Sequence, residues 1–151
     1  MRYSIRPLQP DDLPALLCLI REHADYEGST FDATGKEERL MEAIFTTKKL
    51  NCWVVECNKA IEGFVSFTFD YSTWDAGDFI YMDCLYLRTH LRGAGIGTEI
   101  LQRLRTLAAR KGFKNIQWQT PEFNESGIRF YEKNQAKPFR KVRFVLDPEH
   151  P

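Results

Sequence analysis

Arg92-Gly93-Ala94-Gly95-Ile96-Gly97 is the most strongly punctuated stretch of the chain and decides its fold class. It follows an apolar-rich segment, Phe79 to Leu87, that predicts a β-strand. It opens a segment from Ile96 to Ala108 whose apolar residues recur at helical spacing. A strand that runs into closely spaced glycines and then a helix favours phosphate binding, because backbone N–H groups can point inward and the helix N-terminus adds positive potential. The stretch therefore predicts an anion site.

Two common nucleotide motifs do not fit this stretch. A P-loop requires a Lys and a Ser or Thr after its last glycine, and neither follows in that register. The dinucleotide fingerprint requires G-x-G-x-x-G, whereas Gly93, Gly95 and Gly97 give G-x-G-x-G, and Thr98 stands where the last glycine should be. What remains is a third kind of phosphate motif, or a glycine-rich turn that only reverses the chain.

The elements predicted around this stretch mix strands and helices. Asp11 or Asp12 offers an N-cap for a first helix that ends at Gly28, and Thr34 offers a cap for a second helix. The other predicted elements are strands at 3–6, 51–57, 60–69, 79–87, 115–120 and 142–146, a tight turn at 58–59, and helices at 96–111 and 124–132. This order, β-α-α-β-β-β-α-β-α-β, predicts one α/β domain over residues 1–151, with a mixed, mostly antiparallel central sheet flanked by helices.

Composition narrows the class of protein. The 151 residues suit one domain, and 21 basic residues balance 21 acidic ones. Zero net charge argues against a nucleic-acid partner, since nucleic-acid binders carry a basic excess. A short basic cluster near the C-terminus is typical of a solvated strand face; its members are Lys137, Arg140, Lys141 and Arg143.

The cysteines and the apolar runs indicate in which cellular compartment the protein is expected. Four cysteines form no C-x-x-C pair and have no His at zinc-ligand spacing, so we expect free thiols and no metal site. The longest apolar run, Leu13 to Ile20, is interrupted by Pro14 and is too short to span a bilayer, and the first seven residues lack the apolar stretch of a signal peptide. We therefore expect a cytoplasmic protein with no membrane partner.

A second pattern lies in the predicted helix that starts at Asn124. Asn124 and Tyr131 are seven residues apart, which is two helical turns, so they share one face. From the residues alone, Asn124 is also explained as a helix N-cap and Tyr131 as a half-buried packing residue. After the helix, Asn134 can adopt a left-handed backbone conformation beside Gln135.

Together the two patterns resemble the GNAT superfamily of N-acetyltransferases. Arg92-x-x-Gly95-x-Gly97 resembles its acetyl-coenzyme A motif, and the segment from Asn124 to Tyr131 resembles its helix after the fifth strand. The likeness runs from Ile5-Arg6-Pro7 to the last predicted strand. It implies a GNAT-like fold and acetyl-coenzyme A as co-substrate, with no metal.

Within the superfamily the chain resembles the diamine/polyamine acetyltransferases, a branch that includes spermidine/spermine and thialysine enzymes. Asp25-Tyr26-Glu27, Thr68-Phe69-Asp70 and Trp74 carry this resemblance beside the two motifs. The branch has a Glu-Asp pair in the fourth strand, where this chain has Asp83-Cys84. Because one carboxylate is missing, a diamine or polyamine, a thialysine-like amino acid and other small primary amines all stay open as the acceptor.

The resemblance also implies roles for individual residues. Tyr131 is the expected general acid for the coenzyme A thiolate, and Asp83 is the expected base through a water molecule, unless it only anchors substrate. Glu27 and Asp75, with Asp83, are expected to attract a cationic acceptor, unless they form a solvated surface. The residues expected to bind the cofactor are Leu85, Tyr86, Leu87, Arg92, Gly93, Ala94, Gly95, Ile96, Gly97, Thr98, Asn124 and Tyr131.

Two histidines are bases in principle. His23 is expected to decorate the first helix, and His90 is expected to lie in the loop leading to Arg92. Two other functions stay open, a protein or peptide N-acetyltransferase and a non-catalytic acyl-coenzyme A sensor. The presence of Tyr131 favours the enzyme, since a sensor has no use for a proton donor.

A homodimer is the expected assembly, because relatives in the family commonly pair through C-terminal elements. Phe139, Phe144 and Val145 offer apolar area there, unless they complete the core of a single chain.

Overall fold

The computed structural model describes residues 1–149. Its strands are β1 (Tyr3–Pro7), β2 (Asn51–Cys57), β3 (Ala60–Ser72), β4 (Gly77–Leu87) and β5 (Ile116–Gln117), and its helices are α1 (Leu13–Tyr26), α2 (Lys36–Met41), α3 (Ile96–Lys111) and α4 (Glu125–Lys133). Short 3-10 turns lie at Pro10–Asp12 and Thr89–Leu91, and a π-helical turn at Glu42–Thr46. The predicted α/β class is confirmed. Within residues 1–149, no helix is long and apolar enough to cross a membrane.

The five strands form one sheet in the order β1-β2-β3-β4-β5. The first three pairings are antiparallel, whereas β4 and β5 pair in parallel through the crossover that contains α3. Asn58 and Lys59, which connect β2 to β3, have φ angles of 52° and 64°, as a type I′ hairpin turn requires. The mixed, mostly antiparallel sheet is thus confirmed.

Helices cover both faces of this sheet. Alternate residues of β2 point to opposite faces. Val54 joins a buried cluster with Leu16 of α1. Trp53 points the other way and lines a groove with Arg103 and Leu107 of α3. The sheet is therefore flanked by α1 and α3, as the pattern predicted.

Contacts divide the chain into two compact units, residues 1–121 and 122–151. The first contains the sheet and α1 to α3, and the second contains α4. In the second unit Arg140 donates to Glu122 Oε1 at 2.8 Å, which joins the segment after α4 to the residues before it. The single-domain organisation stays a prediction.

The predicted strand from Val142 to Leu146 is wrong for the single chain. Residues 139–146 have no regular secondary structure, and their five large apolar side chains are 77% exposed or more. Strand propensity reflects how well a segment fits beside a neighbour, and the sequence does not say whether the same chain supplies that neighbour. The predicted strand at 115–120 likewise shrinks to Ile116–Gln117, the two residues that pair with β4.

The connection between β3 and β4 also differs from its prediction. The two strands stay paired as far as Ser72 and Gly77, so the expected polar connection is a long hairpin that closes at residues 73–76. Polar and small residues in this segment hide the strand signal, because both of its faces are solvated there.

Of the two predicted helix caps, that of α2 is wrong, whereas that of α1 is confirmed at Asp12. Gly35, with a φ of 69°, is the N-cap of α2, and Thr34 is not. Asp12 is the N-cap residue of α1, but its carboxylate makes no cap hydrogen bond to the helix. It accepts instead from Arg6 Nη1 at 2.7 Å, because a charge-assisted pair is stronger than a cap bond to a neutral N–H.

Candidate active site

β4 has an open edge along its second half. It pairs with β5 only at Ile80 and Tyr81, although it continues to Leu87. Backbone N–H groups of a strand alternate between its two edges. The N–H of Arg88 donates toward β3, to Glu62 O at 3.1 Å, so the N–H groups of residues 85 and 87 face the open edge and that of Tyr86 faces β3. The open edge therefore offers two amide donors to an extended ligand.

A β-bulge marks the start of this open edge. The β3 neighbours Ser66 and Phe67 pair with Cys84 and Met82, so Asp83 is an extra residue in β4. Bulges bend a strand and redirect side chains, often beside active sites. Here the bulge places the Asp83 side chain in solvent.

The glycine stretch forms an open turn at the start of α3. Gly93 and Gly95 have φ angles of 80° and 83°, and a Cβ at either would meet nothing within 4 Å. The first helical hydrogen bond runs from Glu99 N to Gly95 O at 3.0 Å, so the N–H groups of residues 96–98 have no acceptor within the helix. The turn therefore has room for a bulky anion and donors that suit a pyrophosphate.

The Arg92 side chain ties this turn to β4. Its Nε donates to Leu87 O at 2.9 Å. Its guanidinium lies 5.1 Å from the ring centre of Tyr26 and 5.7 Å from that of Tyr86. The open edge and the open turn are thus held side by side.

The Cys84 thiol lies within electrostatic range of two carboxylates that are predicted to attract the acceptor, those of Asp83 and Glu27. Its Sγ is 3.7 Å from Asp83 Oδ2. Burial, followed by the negative charges of Asp83 and Glu27, raises the pKa of the Cys84 thiol to about 12. The thiol is therefore neutral near pH 7, and the structure brings Glu27 and Asp83 within electrostatic range of one group.

His23 does more than decorate α1. Its Nε2 lies 2.5 Å from Glu27 Oε2. Its ring stacks on Tyr86 at 5.4 Å and meets the edge of Phe64 at 6.4 Å. The only sequence signal for this pair is the spacing of four residues on one helix, which the sequence analysis did not use.

Arg88 is a second residue that the sequence analysis missed. Its guanidinium donates to Glu22 Oε2 at 2.8 Å and to Glu62 Oε2 at 3.1 Å. The hydrogen bond from Arg88 lowers the pKa of Glu22, which also accepts from the Tyr86 hydroxyl at 3.4 Å. No local motif could have found this network, because its members come from α1, β3 and β4.

Asp75 lies apart from the other predicted acceptor residues. It sits in the turn of the β3–β4 hairpin, where its N–H donates to Ser72 Oγ at 3.2 Å. Asp83 lies six positions along β4 from Gly77, which is beside this turn, and this spacing corresponds to about 20 Å of extended chain. The structure therefore does not bring Asp75 together with Asp83 in one chain. His90 lies in the turn at Thr89–Leu91 that leads to Arg92, as expected.

The second unit contains the other predicted site residues. Asn124 is the N-cap of α4, and its side-chain oxygen accepts from Gly127 N at 3.3 Å. Tyr131 is half-buried two turns along the helix. After the helix, Gln135 adopts the left-handed conformation, with a φ of 71°, and Asn134 does not. The left-handed position after the helix is therefore Gln135, and Asn134 does not use its ability to adopt that conformation.

An open strand edge beside a glycine-bearing helix N-terminus suits an extended, phosphate-bearing ligand. Residues 17–136 match the acetyltransferase (GNAT) family, and the chain belongs to that family. It is an enzyme of the N-acetyltransferase class, and the GNAT family uses acetyl-coenzyme A.

Curated relatives agree with the branch that the motifs indicated. A thialysine N-epsilon-acetyltransferase from Bos taurus is 30% identical over 137 residues, which is 85% of this chain and 80% of that protein. The Caenorhabditis elegans protein of the same name is 26% identical over 141 residues, 86% of this chain and 80% of its own. The human spermidine/spermine N(1)-acetyltransferase-like protein 1 is 26% identical over 143 residues, 89% of this chain and 20% of that protein. The predicted resemblance to the polyamine and thialysine branch is confirmed.

The fold is shared with solved structures. A predicted acetyltransferase from Clostridium acetobutylicum, solved with acetyl-coenzyme A, superposes with a TM-score of 0.79 at 20% identity, covering 99% of both chains. This likeness confirms the GNAT-like fold.

Proposed function

We propose that the protein transfers an acetyl group from acetyl-coenzyme A to a primary amine of a small cation, namely a diamine, a polyamine or a thialysine-like amino acid. The observation that carries this proposal is the position of the open β4 edge. The glycine turn lies at one end of that edge, and Asp83, with Glu27 nearby, lies at the other. The names of the thialysine and spermidine/spermine relatives support a small amine as acceptor.

The cofactor side of the site fits acetyl-coenzyme A, which supplies the acetyl group as an activated thioester. Open space over Gly93 and Gly95 admits a pyrophosphate to the N–H groups at the start of α3. The N–H groups of Leu85 and Leu87 suit the pantetheine arm and the acetyl carbonyl. Asn124, which is the N-cap of α4, is proposed as a further cofactor-binding residue.

Asp83 and Tyr131 are the proposed proton-transfer groups. An alkyl ammonium has a pKa of about 10 and attacks only after it loses a proton. The exposed Asp83 carboxylate on the bulge is proposed to take that proton through a water molecule. Tyr131, on α4, is proposed to donate a proton to the departing thiolate. Glu27 is proposed to hold the remote cation of the acceptor, and Asp75 is proposed as a further attractor.

The protein is also proposed to act as a homodimer. The apolar side chains of residues 139–146 are exposed on the single chain, which supports their burial against a second copy.

A thiol-release assay tests the proposed function. Purified protein is incubated with acetyl-coenzyme A and with putrescine, spermidine, thialysine, L-ornithine, or a peptide with a free N-terminus. Release of free thiol that depends on one of the small amines is the expected result. Release only with the peptide would replace the small acceptor by a protein substrate. Binding of acetyl-coenzyme A without release for any amine would indicate a sensor.

A further inference from the structure

Glu27 occupies an electrostatically unfavourable position. It is the C-cap of α1, where the helix carbonyls concentrate partial negative charge, and its charge acts on Cys84 together with that of Asp83. A carboxylate in such a place is stabilised by a neighbouring hydrogen-bond donor. The donor in this structure is His23, one helical turn earlier.

His23 is held by more than its own helix. The imidazole stacks on Tyr86 of β4 with an angle of 26° between the rings, and it meets Phe64 of β3 edge-on. The His23 side chain is 16% exposed, whereas that of Glu27 is 32% exposed. A leucine could fill the space between the two rings, but it could not donate a hydrogen bond to Glu27. A histidine at position 23 is therefore better explained by its contact with the Glu27 carboxylate than by packing alone.

We propose that His23 is a positioning residue for the acceptor amine. Its imidazole holds one oxygen of Glu27 and leaves the other for an ammonium. This inference rests on the proposed function, in which Glu27 holds the acceptor.

Two substitutions of His23 separate positioning from packing. With acetyl-coenzyme A saturating, KM and kcat are measured for thialysine and 1,3-diaminopropane at pH 8. His23→Leu is expected to raise the amine KM about tenfold, with kcat nearly unchanged. His23→Gln, whose amide can still donate to Glu27, is expected to recover most of the wild-type KM. The matched control is His90→Gln, since His90 is 61% exposed and faces Glu62; it is expected to keep the wild-type KM.

The outcomes distinguish this inference from the proposed function. A wild-type KM in His23→Leu, or a KM in His23→Gln as high as in His23→Leu, would overturn the role of His23 and leave the acetyltransferase function standing. Calorimetric titration with the same two amines covers the case in which the wild type transfers no acetyl group. Weaker amine binding by His23→Leu than by the wild type would then support the pair. Equal binding, or no binding by the wild type, would overturn it.

Discussion

Tyr131 tests the proposed chemistry at the level of a single residue. Tyr131→Phe keeps the ring that packs in α4 and removes only the hydroxyl. Loss of a general acid typically costs about 10²- to 10⁴-fold in rate, so kcat is expected to fall by that range while acetyl-coenzyme A binding stays close to wild type. Steady-state kinetics and calorimetry check the two parts. Wild-type turnover would mean that water protonates the thiolate and that Tyr131 only packs.

Glu27 and Asp83 test how the acceptor is held. Glu27→Gln is expected to raise the amine KM by roughly 10- to 100-fold, because a charge-assisted contact is worth about 1.5–3 kcal/mol. Asp83→Asn is expected to lower kcat as well, if Asp83 directs the water that takes the proton. Added salt should raise the wild-type amine KM, since part of the attraction is screened. An amine KM indifferent to both substitutions and to salt would favour an acceptor that is not a small polycation.

Single residues of the site differ in how far the sequence could predict them. The glycines at 93 and 95 stand out because few residues other than glycine adopt a positive φ without strain, and the structure has both in that conformation. Arg88 could not be assigned, because its partners Glu22 and Glu62 are remote in sequence. For His23 only the spacing of four residues to Glu27 was visible, whereas its ring contacts on β3 and β4 were not. Gln135 was also unpredictable, since a non-glycine residue at positive φ is held there by its surroundings rather than by its own preference.

At the level of elements, the two ends of α3 provide a matched test of the cofactor turn. Gly95 and Gly112 are the caps of the same helix, with φ angles of 83° and 69°, and a Cβ at either meets nothing within 4 Å. Gly95→Val and Gly112→Val should therefore lose similar stability through backbone strain. Only Gly95→Val is expected to weaken coenzyme A binding, by blocking approach of the pyrophosphate to the helix N-terminus. Calorimetry with coenzyme A checks this; equal affinities in the two variants would refute the assignment of the turn.

The contact between β1 and α1 predicts an acid-dependent part of the stability. Hydrogen bonding from Arg6 lowers the pKa of Asp12, which also accepts from Gln9 N at 2.8 Å. A carboxyl whose pKa is lower in the folded state stabilises the fold above its unfolded pKa of about 3.9, and this contribution is lost as pH falls through the folded value. Asp12→Asn is expected to lower the free energy of unfolding by about 1–3 kcal/mol at pH 7.

The same difference should shrink below about pH 4, where the wild-type carboxyl becomes protonated as well. Urea unfolding at pH 7 and pH 3 measures both values. The exposed neighbour variant Asp11→Asn serves as the control and is expected to match the wild type at both. A constant difference between Asp12→Asn and the wild type would show that packing, rather than charge, links Arg6 to Asp12.

Elements whose apolar residues recur with a strong period could be predicted from the sequence. Elements whose length depends on pairing with a neighbouring strand could not. α3 has apolar residues at helical spacing and glycines at both ends, and its prediction is confirmed. β5 is limited by its pairing with β4, which covers two residues, whereas β4 continues to Leu87. This short pairing leaves the open edge of the site, and no pattern within either strand encodes it. The fold class was therefore readable from the sequence, while the geometry of the site was not.

On the scale of the whole molecule, residues 139–146 carry five exposed large apolar side chains. Phe139 is 79% exposed and Phe144 is 88% exposed, and three further apolar side chains lie between or just after them. The alternative to dimerisation is that these side chains complete the core of a single chain. Their exposure contradicts it. Burying a large apolar side chain is worth about 1.5–3 kcal/mol, so covering this segment in a second copy would contribute several kcal/mol per chain.

We therefore expect sedimentation at micromolar concentration to give twice the mass of one chain. Phe144→Asp combined with Val145→Asp places two charges in this surface and is expected to yield the monomer, because a charge cannot be buried without a partner. Tyr71→Asp, at an exposed aromatic residue on β3, is the control and should leave the dimer intact. If the wild type sediments as a monomer, the exposed segment has another role and dimerisation is refuted. The proposed acetyl transfer would still stand, because Glu27, Asp83 and the open edge of β4 all belong to one chain.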